Sequence, residues 1–114
     1  MKISVEGKGD IQVLELSGEL DYHSSPELRE KLSELTSKQA PKILVKLGGV
    51  DYMDSSGIAT FVEVFQKTKR YQGRLVLAEL TPSVRGVFEI AKLDSIFELT
   101  STVAEAVERL GAKI

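Results

Sequence analysis

Stretches whose apolar residues alternate singly with polar ones, or run on unbroken, take turns along this sequence with stretches whose apolar residues recur at three and four. That alternation predicts an α/β fold: one domain over residues 1–114, with a mixed, mostly parallel sheet and about four helices. Two further observations sharpen it. Two short strand patterns at the start are joined by a turn, which predicts an opening hairpin at a sheet edge. The central runs Ile43-Leu44-Val45 and Leu75-Val76-Leu77 are continuously apolar, as strands covered on both faces require.

The elements follow in order. Ile3–Glu6 and Ile11–Ser17 read as strands around Lys8-Gly9-Asp10. Ser24-Ser25-Pro26-Glu27 opens a helix carrying Leu28, Leu32 and Leu35, with Ser at the N-cap and Pro in the first turn. Ile43–Leu47 is the next strand. The following helix places Ile58, Phe61, Val62 and Phe65 on an apolar face, with Thr60, Glu63, Gln66 and Lys67 opposite. Leu75–Ala78 is a strand, and Thr81-Pro82 starts a helix carrying Val84, Val87, Phe88 and Ala91. A weak strand near Ile96–Leu99 precedes a helix with Val103, Val107 and Leu110. There Thr102 and Glu105 have capping-box spacing, and Gly111 is a stop.

Composition narrows the chemistry. The chain has no Cys and one His, His23, so neither a disulfide framework nor a thiolate or His-based metal site is expected, and no cofactor. The net charge is −2 with both signs scattered, without the basic stripe of a nucleic-acid binder. Apolar runs fall far short of the roughly 20 residues that span a bilayer, and the N-terminus lacks a signal-peptide core. A cytoplasmic protein with no membrane or nucleic-acid partner is expected. No Gly-x-x-x-x-Gly-Lys loop or Gly-x-Ser-x-Gly elbow appears, so no catalytic residues and no enzyme activity are assigned.

The segment Tyr52-Met53-Asp54-Ser55-Ser56-Gly57 falls between a strand and an apolar helix, where α/β sheets bind ligands and partners. Two readings stand side by side. Asp and Ser are ordinary N-caps, and Gly57 permits close helix–sheet packing. Equally, a helix N-terminus can hold an anion, including phosphate on a Ser side chain.

Val50-Asp51-Tyr52-Met53-Asp54-Ser55-Ser56-Gly57-Ile58 resembles the signature of the STAS family, in particular its anti-sigma factor antagonists. Leu16-Ser17-Gly18-Glu19-Leu20-Asp21, Thr81-Pro82-Ser83-Val84-Arg85 with Phe88, and Ala91-Lys92-Leu93-Asp94 to Phe97 are similar to that family's other conserved stretches. The resemblance implies that Ser55 is a phosphoacceptor for a partner anti-sigma factor, itself a serine kinase using ATP. Unphosphorylated protein would bind that partner and release the sigma factor, and a serine phosphatase would reset the switch. Glu19, Asp21, Asp54, Ser55, Ser56 and Gly57 would form the partner surface.

Lys46 and Gly48-Gly49 depart from the family pattern near the expected functional face, and His23 is read as a loop residue. Two alternatives are a STAS scaffold or accessory module of a stress-signalling or lipid-transport complex, and a receiver-like domain phosphorylated on Asp54. The second lacks the acidic pair that would hold Mg²⁺. The open hairpin edge leaves monomer and weak dimer both available.

Overall fold

A computed structural model describes residues 1–111. Its order is β1 (Lys2–Lys8), β2 (Ile11–Leu20), α1 (Ser25–Ser37), β3 (Lys42–Met53), α2 (Ser55–Arg70), β4 (Arg74–Ala78), α3 (Pro82–Ile90), β5 (Glu98–Thr100) and α4 (Val103–Leu110). One five-stranded sheet has the order β1-β2-β3-β4-β5. The β1–β2 pair is antiparallel and the rest are parallel. This is the mixed, mostly parallel sheet with four helices that the alternating periods predict. Its opening hairpin turns on Gly9-Asp10, with Gly9 at φ 60°, the left-handed position that a two-residue hairpin loop assigns to glycine.

Successive right-handed crossovers between adjacent parallel strands place their helices on one face. Accordingly, Leu28 and Leu32 of α1, Phe61 and Val64 of α2, and Val84 and Phe88 of α3 share one buried cluster with Leu14, Leu16, Ile43, Val45, Leu75 and Leu77. The last helix, α4, buries Ala106 and Leu110 against Ile11, Leu44 and Val76 on the other face. The unbroken apolar runs of β3 and β4 are thus covered on both sides.

Several boundaries depart from the sequence reading. β3 runs six residues past Leu47, to Met53, and β2 continues to Leu20. Between Glu15↔Lys46 and Glu19↔Tyr52 the register shifts twice, and β3 takes up two extra residues. Inward positions there become Leu47, Val50 and Met53, spaced by three, so the period-two signal is lost. In α2, Thr60 is buried rather than on the polar face, because its Oγ1 donates to the Ser56 carbonyl at 3.0 Å and needs no water. The last strand is Glu98–Thr100. Ile96 remains half exposed before it, while Phe97 is buried edge-on to Phe88 and beside Phe65.

Candidate functional site

Parallel pairing of β2 with β3 sets Glu19 opposite Tyr52 and Leu20 opposite Met53. Both chains then leave the sheet together, and the Asp54 N–H donates to the Leu20 carbonyl at 3.2 Å. The two motifs, separated by more than thirty residues in sequence, therefore meet at the carboxyl ends of adjacent strands. Gly18, at φ 105° within β2 where the second register shift begins, takes a conformation that a side chain would strain, with Met1 lying 3.2 Å from where its Cβ would be.

Asp54 is the N-cap of α2: its backbone is extended, and its Oδ1 accepts from the Ser56 N–H at 2.9 Å. That settles which side chain caps. Ser55, the first helical residue, is exposed, and its hydroxyl has no partner among the described residues. Ser56 is half-buried. Gly57 is buried, and a Cβ there would stand 2.8 Å from Met53 Cγ and 2.9 Å from Leu20 Cγ. Its part in the fold is to let α2 approach the sheet.

The start of α1 differs from expectation. Ser24 occupies the N-cap position but makes no side-chain cap bond. Asp21 does that work: its Oδ1 accepts from the His23 and Ser24 N–H groups at 2.9 and 3.0 Å. Ser24 Oγ instead donates to the Glu19 carbonyl at 2.7 Å, and Ser25 Oγ to that of Asp21 at 2.6 Å. The Ser24 hydrogen bond, aided by that of His23, holds the Asp21 carboxyl below its ordinary range. The Gly-Glu-Leu-Asp stretch is thus a strand end clamped to a helix start rather than a free loop.

Glu19 and Asp21 line one shallow groove with Met1, His23 and Glu27. Ser56 lines another, with Tyr22, Pro26, Arg29 and Ala59. Tyr22, 75% exposed, lines the second groove and has His23 edge-on to it at 5.7 Å, and Tyr52, 50% exposed, lies opposite Glu19 across the paired strands. Tyr22, Tyr52 and Arg29 were not singled out from sequence, although Tyr and Arg are the residues most enriched at binding surfaces. Tyr52 stood inside the strand-to-helix motif but drew no role, because the strand was read as ending at Leu47, and the structure carries it on to Met53. Arg29 gave no signal, because helix-face arginines are commonplace.

Lys46 lies elsewhere. It shares the α4 face of the sheet with Leu44 and forms an ion pair with Glu15 at 2.9 Å, which raises its pKa. It is therefore removed from the α1–α2 side, contrary to the expectation that it borders the functional face. Gly48 and Gly49 mark the first register shift. A Cβ at Gly49 would meet the Leu16 carbonyl oxygen at 2.9 Å. These glycines serve strand pairing.

The STAS domain family model matches residues 2–106. The chain belongs to the STAS domain family. The anti-sigma-B factor antagonist of Bacillus subtilis (strain 168) is 38% identical over 104 residues, covering 89% of this chain and 94% of that protein. The protein of the same name from Listeria monocytogenes serovar 1/2a is 32% identical over 108 residues, covering 92% and 95%. Among solved structures, the Bacillus cell fate determinant SpoIIAA in its phosphorylated form aligns with TM-score 0.76 at 27% identity, covering 96% of this chain and 99% of that one. A Thermotoga maritima crystal structure aligns with TM-score 0.90, covering 96% and 94%; at 22% identity it speaks for the fold alone. Among the described residues, no helix of this STAS protein is long and apolar enough to cross a membrane.

Proposed function

We propose that this STAS protein is an anti-sigma factor antagonist whose docking face is gated by phosphorylation of Ser55. Unphosphorylated, it binds an anti-sigma factor that is also a serine kinase, and so frees the sigma factor. Phosphorylated, it lets go, and a serine phosphatase restores it. Its relatives' names support the regulatory role. The observation that carries the site assignment is the exposed hydroxyl of Ser55, without a partner among the described residues, beside a helix cap already supplied by Asp54.

The physical consequence is electrostatic. Phosphate brings about −1.5 to −2 charges to a face that already holds Asp54, Asp21 and Glu19. At the first turn of α2 the N–H groups and the helix dipole tolerate that charge, so the fold stays as it is. A partner shaped to a neutral hydroxyl must desolvate an unpaired dianion, at a cost of about 2–5 kcal/mol. Affinity then falls by about thirty- to several-thousand-fold. Because Oδ1 of Asp54 is engaged in capping, this arrangement favours Ser55 over a receiver-like aspartyl phosphate.

The test combines mass spectrometry of Ser55 after incubation with the cognate kinase and ATP with binding of Ser55→Ala and Ser55→Asp. Ser55 should carry the phosphate, Ser55→Ala should bind constitutively, and Ser55→Asp should bind poorly. Phosphate found elsewhere, or undiminished binding by the phosphorylated protein, refutes the reading.

A further inference from the structure

The sheet ends on one side at β1, whose outer edge pairs with no other strand among the described residues. Because the hairpin closes directly on Lys8 and Ile11, those two residues form a hydrogen-bonded pair. Alternation along an antiparallel ladder then aims the backbone groups of the even-numbered residues of β1 at β2. The N–H and C=O groups of Ile3, Val5 and Gly7 point outward, available to another strand. Beside them stands Val5, 44% exposed and one of the few large apolar side chains left in water. Val5 and Ile3 lie on the α1–α3 face, opposite Leu14 and Leu16, and Lys2, Ser4 and Glu6 lie on the α4 face.

We propose that β1 is a homodimer strand, pairing antiparallel with β1 of a second copy about a two-fold axis at Ser4. In that register Ile3 of each copy opposes Val5 of the other and exchanges the outward backbone hydrogen bonds with it. Val5 gains an apolar neighbour. On the other face Ser4 meets Ser4, and Lys2 opposes Glu6 twice, in the closer, non-bonded pairs where side chains interact best. Neither Lys2 nor Glu6 forms a direct ion pair among the described residues; Glu6 shares its face with Lys46, which is itself paired with Glu15.

Charge selects this register from its neighbours. Centring on Val5 sets Lys2 against Lys8, and centring on Glu6 sets Glu6 against itself. Centring on Ile3 shortens the contact to a few residues. The result is a ten-stranded continuous sheet with a small, salt-sensitive interface, in weak equilibrium with monomer. Both Ser55 sites stay open, because they follow β3, two strands in from the shared edge. The surface serves a second copy of this chain and is independent of the phosphorylation reading.

The test is analytical ultracentrifugation of the full chain across about 1 μM to 1 mM, the range that brackets an interface of this size. Wild type should shift reversibly from monomer to dimer. Lys2→Glu and Glu6→Lys each turn two attractive pairs into two repulsive ones and should weaken the dimer about tenfold. The double reversal should restore it to within about threefold of wild type. Val5→Pro removes an outward N–H, which an edge strand tolerates, and should give a folded monomer by circular dichroism. Ser55→Asp should dimerise like wild type. A chain that stays monomeric throughout, a dimer indifferent to Val5→Pro, or a double reversal no better than the single ones overturns the proposal.

Discussion

Two aspartates at the ends of neighbouring strands do similar work at different helices. Asp54 caps α2 and Asp21 caps the turn leading into α1, each through one carboxylate oxygen on backbone N–H groups. Asp21 carries a testable pH signature. Its carboxyl titrates below the ordinary range, so its contribution to stability is complete above the unfolded value of about 3.9 and disappears as pH falls through the folded value. Amide hydrogen exchange at His23 and Ser24 should therefore accelerate below about pH 4 relative to the core amides. In Asp21→Asn, which retains an acceptor but does not titrate, that acid-specific acceleration should vanish; equal profiles for the two proteins would contradict the assignment. From sequence, the cap was placed on Ser24. Ser is the commoner expectation immediately before Ser-Pro-Glu, but its hydroxyl finds the Glu19 carbonyl first. Nothing local in the sequence foretells that, since Glu19 comes within reach only through the strand end.

At the scale of elements, helix starts and stops were legible because they depend on near neighbours. Thr81 caps α3 by accepting from the Val84 N–H at 3.4 Å, and Thr102 caps α4 by accepting from that of Glu105 at 3.1 Å. Gly111 takes the left-handed C-cap at φ 60°. The capping box of α4 is only half formed, since the Glu105 side chain turns to Arg109 at 3.8 Å. The upper half of β3 was not legible. Its inward residues follow a spacing set by slippage against β2, a long-range event that leaves no local period. The same stretch carries the approach of α2 to the sheet, which turns on Gly57. Ala there gains about 1 kcal/mol of helix propensity but thrusts a methyl into the fully buried side chains of Leu20 and Met53. Overpacking costs about 1–3 kcal/mol, so Gly57→Ala should be less stable by roughly 1 kcal/mol in urea unfolding. A variant at least as stable as wild type would mean that α2 can lift away freely.

For the molecule as a whole, the principal core is held by a chain of aromatic rings, Phe61 to Phe88 at 6.2 Å, Phe88 to Phe97 at 5.4 Å and Phe97 to Phe65 at 5.1 Å, linking α2, α3 and the approach to β5. Phe88 is fully buried at its centre. Phe88→Ala should cost about 3–5 kcal/mol. For a domain with total stability of about 5–15 kcal/mol, that should lower the urea midpoint sharply and leave a measurable unfolded fraction at 37 °C. A shift within error of wild type would show that the aromatic chain is not the organising contact. The fold class was readable because burial on two faces and crossover handedness both leave sequence traces. The pairing of the Glu19 and Ser55 segments was readable only by resemblance, since it arises from strand register.

Asp54 alone supplies the helix cap, so the residue following it is mechanically idle. Replacing Ser55 should leave the resting architecture unchanged, so that the chemistry of that one position can be retuned without a folding penalty. On the proposed function, control and foldability occupy adjacent residues yet can vary separately, and a threonine, an alanine or a fixed acid at 55 should yield an equally sound domain with a different regulatory habit.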